Sequence, residues 1–280
     1  MKLTRIIFVA ALLTVFLCAG MATAGTLEDV KAKGFISVGV NEGLFGFSKP
    51  DEKGVWRGLD VDTARAISVA VFGAPDKIKF VPLTAKTRFT ALQSGEIDVL
   101  TRNATRTLSR ETALGLNFAH ANYYDGQGFL INKSLGVKSA KELDGASFCI
   151  QAGTTTELNL ADYFRANNMS YTPITFDTSD QTVKAFEAGR CDALTSDQSQ
   201  LYALRIKLKD PKSAVVLPEV ISKEPLGPVV RQGDDEWFNV VKWMLFAMVN
   251  GEELGVSSAN VDEMKAKSTD PHVRRLLGIE

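Results

Sequence analysis

Apolar and polar positions along this chain fall into two alternating rhythms, short β-branched runs and longer stretches with helical spacing. Thr26-Leu27-Glu28-Asp29 opens a short helix that stops at Gly34, and FISVGV (35–40) reads as a buried strand. DVDTARAISVAVFG (60–73) has helical spacing, KIKFVPL (77–83) is strand-like, RFTALQSG (88–95) is helical again, and IDVLT (97–101) closes the series as a strand. The second half repeats it with SFCIQ (147–151), a helix over 156–168, PITFD (173–177), a helix over 181–189 and CDALTSD (191–197). Near the end, GDDEWFNVVKWMLFAMVN (233–250) sets three acids before an amphipathic helix whose apolar face predicts core packing rather than a membrane span. Strand, helix and strand in succession build parallel sheets flanked by helices, so the expected class is α/β in two lobes.

An internal echo supports two related lobes. ALQSGEIDVLT (91–101) and AFEAGRCDALT (185–195) align without gaps and share Ala, Gly, Asp, Leu and Thr. Ligands of open α/β sheets bind beyond the carboxyl ends of the strands. The residues directly after each echo therefore matter: Arg102-Asn103 in the first and Ser196-Asp197 in the second. One side offers a cation and amide donors and the other a carboxylate, the pairing that a zwitterion needs.

The amino terminus changes where the chain is expected to work. Lys2 and Arg5 precede an apolar run from Ile6 to Gly20, followed by the small-x-small pattern Ala22-Thr23-Ala24, which predicts a secretory signal over residues 1–24. An uncleaved anchor is the alternative, and a lipid anchor on Cys18 is disfavoured by the bulky Phe16 and Leu17 before it. Removing that segment leaves 256 of the 280 residues and 30 of the 32 basic residues against 33 acids, a net charge of −3, so nucleic acid is not an expected partner. Cys149 and Cys191 remain, and in an oxidising compartment they either form a disulfide or stay as two buried thiols. Neither lies in a C-x-x-C pair or near a histidine, so zinc is a poor reading.

Candidate chemistry gathers in three short stretches. TRNATRTLSR (101–110) packs hydroxyls and three arginines around one amide just past a strand, where Thr107 is placed to cap a helix and Arg110 to reach back toward the strand end. A guanidinium there could grip a carboxylate through paired hydrogen bonds, or Arg106 and Arg110 could simply face solvent. QAGTTTE (151–157) sets Gly and hydroxyls at a helix start, either an anion site or an ordinary helix cap. It lacks the lysine of a phosphate-binding loop. Asp197 is either a helix cap or a partner for an ammonium, and NEGLFGF (41–47) comes after a strand as an apolar loop or core filler. With only His120 and His272 in the chain, no hydrolase or zinc-protease signature is legible.

AKTRFTALQSGEIDVLTRN, NYYDGQGF, GTTTELNLADYF, AGRCDALTSDQSQLYALR and ISKEPLGPVVRQGDDEWF together resemble the general L-amino-acid-binding proteins of bacterial ABC importers, a branch of the polar amino-acid-binding family. The resemblance implies a type II periplasmic binding protein, a two-lobed venus flytrap, monomeric, with no metal, no cofactor and no enzymatic activity, that closes on an L-amino acid and presents it to an inner-membrane permease. Lobe one would span 25–124 and 227–280, lobe two 125–226, with hinges at both crossings. The likeness places Arg110 on the ligand's α-carboxylate, Thr105 beside it and Asn103 in the same pocket. Thr154 and Thr155 face the carboxylate from the second lobe, Asp197 receives the α-ammonium, and Asn41 and Leu44 contact the other side. The aliphatic Leu44 stands where specialised relatives often carry an aromatic, which implies broad selectivity, since apolar contacts discriminate by only about 1–3 kcal/mol per methylene.

Two departures qualify the likeness. Val38 and Ala64 replace a first-lobe cysteine pair common among relatives, and relatives continue past VRRLLGIE into helices that return to lobe one, so an exposed apolar surface is expected there. The alternatives are a periplasmic dehydratase on the same fold, which needs a general acid or base in the cleft beyond Asp197, and an amino-acid sensor that does not transport.

Overall fold

The computed structural model describes residues 25–279, so the proposed secretory signal and Cys18 lie outside the described residues. Helix α1 (Thr26–Lys33) has Glu28 and Asp29 in its first turn and Lys31 and Lys33 in its last, which suits the helix dipole at both ends. Strand β1 (Ile36–Asn41) comes next, buried throughout, and a small hairpin of β2 (Lys49–Pro50) and β3 (Trp56–Arg57) leads to α2 (Leu59–Phe72) and β4 (Ile78–Leu83). Then come α3 (Arg88–Gln93), β5 (Val99–Leu100), α4 (Leu108–Ala113), β6 (Leu116–Phe118) and the connecting strand β7 (Tyr123–Asp125). The next series is β8 (Gln127–Asn132), β9 (Ser147–Gln151), α5 (Thr156–Ala166), β10 (Thr172–Phe176), α6 (Ser179–Glu187), β11 (Ala193–Asp197), α7 (Gln198–Arg205) and β12 (Ala214–Val216). The chain returns through β13 (Glu224–Leu226) to β14 (Val229–Arg231), and α8 (Asp235–Glu253), α9 (Val261–Lys267) and α10 (Pro271–Leu276) complete the described chain.

Most elements fall where the pattern puts them, within a few residues. Helix α6 starts earlier than its apolar spacing suggests, because Thr178 and Gln181 form a reciprocal capping box that sets its first turn at Ser179. Strand β5 is shorter than IDVLT and keeps only Val99 and Leu100.

Two five-stranded sheets result, ordered β4-β1-β5-β14-β6 and β10-β9-β11-β8-β12. Four strands of each run one way and one is reversed: β14 pairs antiparallel with β5 and β6, and β8 with β11 and β12. The reversed strand is in each case the one entered directly from the connecting ribbon, in which β7 and β13 pair antiparallel. Gly227 permits that ribbon to close, because a Cβ there would lie 1.9 Å from the His120 carbonyl oxygen.

The echo is structural as well as textual. The Asp98 amide donates to the Ser37 carbonyl at 2.8 Å while its carboxylate accepts the Ser37 amide at 2.7 Å. Asp192 repeats the pair with Ser147, at 3.0 and 2.8 Å. Equivalent aspartates thus clip β5 to β1 and β11 to β9, and bring the two strand ends out in corresponding places.

Each sheet is covered on both faces. Val30, Val38, Ile67, Trp237 and Val241 pack α1, α2 and α8 on one face of the first sheet, and Leu92, Ile97, Leu100 and Leu116 fill the other. Helix α8 buries Trp237, Val241, Met244 and Leu245 at helical spacing, so its apolar stripe is core as expected, while Trp243 on its other side is exposed and so is Met248, farther along the same stripe. In the second sheet the strand period of two divides β8, sending Phe129 and Ile131 to the cluster under α5 and Leu130 to the cluster under α6 and α7.

The cysteine alternatives resolve as a disulfide: Cys149 on β9 and Cys191 before β11 are bonded, with Cα atoms 5.7 Å apart and a sequence separation of 42. Closing a loop of that length restricts the unfolded chain and stabilises the fold by about 4 kcal/mol at most. Replacing both cysteines by serine is expected to lower the melting temperature by roughly 10 °C. Thermal denaturation checks this, and a variant that melts with the wild type would show that the bridge adds nothing to the α6 and α7 cluster.

Candidate functional site

The ends of β5 and β11 face each other across a narrow cavity. Arg88, Arg102, Asn103 and Thr105 line it from the first sheet's side, and Gln151, Thr154–Thr156, Ser196, Asp197 and Gln200 from the second's. The lining is polar throughout. The walls enclose about 20 Å³, on the scale of a single water, so any larger solute enters only if the two sides part.

Three guanidiniums converge on the first side. Arg102 comes two residues after β5, is 2% exposed and donates through Nε to the Leu83 carbonyl at 2.8 Å. Arg110 lies in α4, whose start is fixed by the Thr107 hydroxyl accepting the Arg110 amide, and its Nη1 donates to the Thr105 carbonyl at 2.7 Å. Arg88 opens α3, and its Nε is buried without a hydrogen-bond partner among the described residues. Arg88 and Arg110 both sit over the Phe89 ring, 4.8 and 4.9 Å from its centroid, where the π face attracts their charge. None of the three makes an ion pair within 4.0 Å among the described residues. Arg106, by contrast, is exposed and pairs with Glu111 at 3.0 Å.

Burying like charges together is costly, and the titration shifts record that cost. Burial lowers the Arg102 and Arg110 guanidiniums to about 10, and burial reinforced by Arg102 and Arg110 pulls Arg88 well down. A guanidinium nevertheless keeps its proton, so uncompensated positive charge is held at this side of the cavity.

The second side supplies the opposite charge. Asp197 is the N-cap of α7 by position, yet its side chain makes no capping hydrogen bond. Burial pushes its carboxyl up to about 8, reinforced by Glu224 and Asp125 and opposed by Arg88 and Arg110. Asp60, at the start of α2, is likewise raised by burial to about 6, although the Asn103 amide at 3.0 Å and nearby Arg102 favour its ionised form. At the start of α5, Thr154 donates to the Gln151 carbonyl at 2.8 Å and Thr155 to the Glu224 carboxylate at 3.0 Å. Anion-seeking donors on one side and a carboxylate on the other suit a small zwitterion.

Bonds between the two sides hold this arrangement closed. Asn103 Nδ2 donates to Gln200 Oε1 at 3.0 Å, Arg88 Nη2 to the Gly153 carbonyl at 3.5 Å, and Lys207 Nζ to the Gly43 carbonyl at 2.8 Å. Gly153 has φ +76°, and a Cβ there would lie 3.1 Å from Lys86 Cα, so a side chain would hold the two sides apart.

Of the residues named from the sequence, Asn103, Thr105, Thr154, Thr155 and Asp197 meet at the cavity wall. Arg110 stands behind Thr105, and Asn41 donates to Asn103 Oδ1 at 3.1 Å from one step back. Leu44 does not line the cavity; it joins Phe47, Leu226 and Ala203 of α7 in an apolar seam between the two sides. Arg102, Gln151 and Ser196 line it from stretches already marked in the sequence, whereas Arg88 and Gln200 line it without having been singled out there. Arg88 alone carries a signal, since a cation in the first turn of a helix opposes the dipole and needs a reason to be there.

The description "bacterial extracellular solute-binding proteins, family 3" fits residues 36–258. The general L-amino acid-binding periplasmic protein AapJ of Rhizobium johnstonii is 59% identical over 262 residues, covering 94% of this chain and 76% of AapJ. The glutamate/glutamine/aspartate/asparagine-binding protein BztA of Rhodobacter capsulatus is 55% identical over 264 residues, covering 94% of this chain and 78% of BztA. Among solved structures, a periplasmic binding protein from Brucella ovis with glutathione bound superposes with a TM-score of 0.89 at 59% identity, covering 92% of this chain and 80% of that one.

The raised carboxyls predict a pH dependence. Folded Asp60 and Asp197 keep protons that the unfolded chain, whose aspartates titrate at the ordinary value of 3.8, has already lost, so stability falls as pH rises from about 4 through 6 and 8 respectively. Asp197→Asn is therefore expected to melt higher than the wild type at about pH 8, with the gap narrowing toward about pH 5. Melting curves across that range check it, and parallel profiles would remove Asp197 as the titrating group.

Proposed function

Because the chain belongs to the bacterial extracellular solute-binding proteins, family 3, we propose that it is a periplasmic receptor that captures L-amino acids with broad selectivity and delivers them to an inner-membrane ABC permease. One observation carries this reading: three buried guanidiniums without an ion partner face a buried, uncapped aspartate across a closable cavity. The ligand's α-carboxylate is assigned to Arg110 with Thr105 and the start of α5, and its α-ammonium to Asp197. Charge-assisted bonds in a closed cleft are strong because water no longer competes.

The walls also say which side chains fit. With Leu44 in the seam rather than in an aliphatic wall, the lining of hydroxyls, amides and guanidiniums favours polar and acidic side chains, with the free Arg88 Nε available to a second carboxylate. That preference agrees with the ligands in the name of BztA, and the glutathione of the Brucella ovis structure has the same zwitterionic end on its glutamyl residue. In this reading lobe one comprises 25–124 and 227 onward, lobe two 125–226, and the connecting ribbon carries the hinge between an open, ligand-free receptor and the closed state that ligand bridging favours. The dehydratase alternative would need a general acid or base at the reacting atom, and Asp197, the one carboxylate in the described lining, is here committed to the ammonium.

Calorimetry with a panel of L-amino acids, their 2-oxo acids and their amines tests the proposal. Binding of many L-amino acids, but of no analogue lacking either charged group, is expected; equal binding of the oxo acids would refute the Asp197 assignment. Arg110→Gln should weaken every ligand by about 100-fold, the worth of a charge-assisted pair. Arg88→Gln should weaken glutamate and aspartate at least about tenfold more than alanine, and a uniform loss would mean that Arg88 does not read the side chain. An ammonium beside Asp197 also drives off its proton, so titrations at about pH 7 in buffers of different ionisation enthalpy should show release approaching one proton per ligand.

A further inference from the structure

Glu224 belongs to no part of the clamp assigned above, yet it is 2% exposed and sits on β13, one of the two strands connecting the sheets. Its carboxylate accepts three hydrogen bonds, from Thr155 Oγ1 at 3.0 Å, Asn159 Nδ2 at 2.6 Å and Ser222 Oγ at 2.6 Å. Thr155 and Asn159 belong to the start of α5, one wall of the cavity. The next two residues of the same strand serve the opposite wall: the Pro225 carbonyl accepts the Arg106 amide at 2.8 Å, and Leu226 forms a bridge with Thr105. Three consecutive residues therefore join both halves of the site.

The partner strand repeats the device. Asp125 lies opposite Glu224 in the ribbon, and its carboxylate accepts the hydroxyl and the amide of Ser199, in the first turn of α7 just beyond Asp197. Each connecting strand thus carries a carboxylate that grips the first turn of one helix at the cavity.

We propose that Glu224 is a positioning residue for ligand capture: it fixes the first turn of α5, and with it Thr155, against the strand that carries the Thr105 half of the site, so that ribbon movement and site assembly are one event. The inference rests on the reading of this cavity as an amino-acid site. Burial of a carboxylate is tolerated here because three donors satisfy it and the Arg110 guanidinium offsets its charge. A helix turn held this way arrives at the ligand already oriented, which lowers the ordering cost of binding.

The test combines Glu224→Gln, which keeps the shape but removes the charge and one of the two acceptor oxygens, with Thr155→Val and the double variant, each titrated with L-glutamate and L-alanine. Each single change is expected to weaken binding about tenfold, and the double to stay within about threefold of the weaker single, because one acts through the other. An affinity for Glu224→Gln within about twofold of wild type, or losses that multiply to about 100-fold in the double, would overturn the proposal. Hydrogen exchange on the ligand-free proteins supplies a readout that does not need binding. Amides in the first turn of α5 should exchange faster in Glu224→Gln while those of α6 stay as in wild type. Equal acceleration in both helices would mean a role in overall stability and would overturn positioning. If the wild type binds no amino acid, the functional reading falls by itself, and exchange alone decides what Glu224 does.

Discussion

The structure depends on the burial of three like charges at one place. Arg88, Arg102 and Arg110 are withdrawn from water beside one another, and the described chain gives them carbonyl oxygens and an aromatic face but no ion pair. Such a cluster persists only where the rest of the fold is stable enough to hold it. Two sheets with covered faces, the clipped strand ends and a disulfide in the second sheet provide that stability. The unfavourable charge is thereby stored at the point where a ligand can relieve it, which is the usual relation between strain and function.

The opposite side of the cavity obeys the same logic with the sign reversed. Asp197 occupies a helix-cap position without capping, and its carboxyl is pushed toward the neutral form by burial and by Glu224 and Asp125. Bringing the two sides together partly offsets both costs, since the arginines and the aspartate attract one another even at a distance. A zwitterion between them would offset both more fully, and that difference in free energy is what a receptor needs to favour closure with ligand over closure without it. The small enclosed volume has the same consequence, because it makes parting of the lobes a condition of entry.

Related halves make the geometry reproducible. Asp98 and Asp192 clip corresponding strands in the same manner, so the two sets of cavity-lining residues emerge at matching strand ends. The reversed strands β14 and β8 result from the double connection between lobes, which brings the chain into each sheet from the ribbon side.

The features legible in the residues themselves are local. Apolar spacing, glycine stops and the Thr107 cap fix the elements, and the echo announces two similar lobes, because these depend on neighbours within a few positions. Arg102-Asn103 and Ser196-Asp197 stand out for the same reason: each comes directly after one copy of the echo. Tertiary structure decided the rest. Arg88 and Gln200 reach the cavity from helices whose approach is set by packing, Leu44 is drawn from the expected ligand wall into a seam with Ala203, and Glu224 acquires its partners 69 and 65 residues away in Thr155 and Asn159. Sequence spacing determined what each segment is; only the folded chain, by setting which buried charges share one low-dielectric space, decided which of those segments work together.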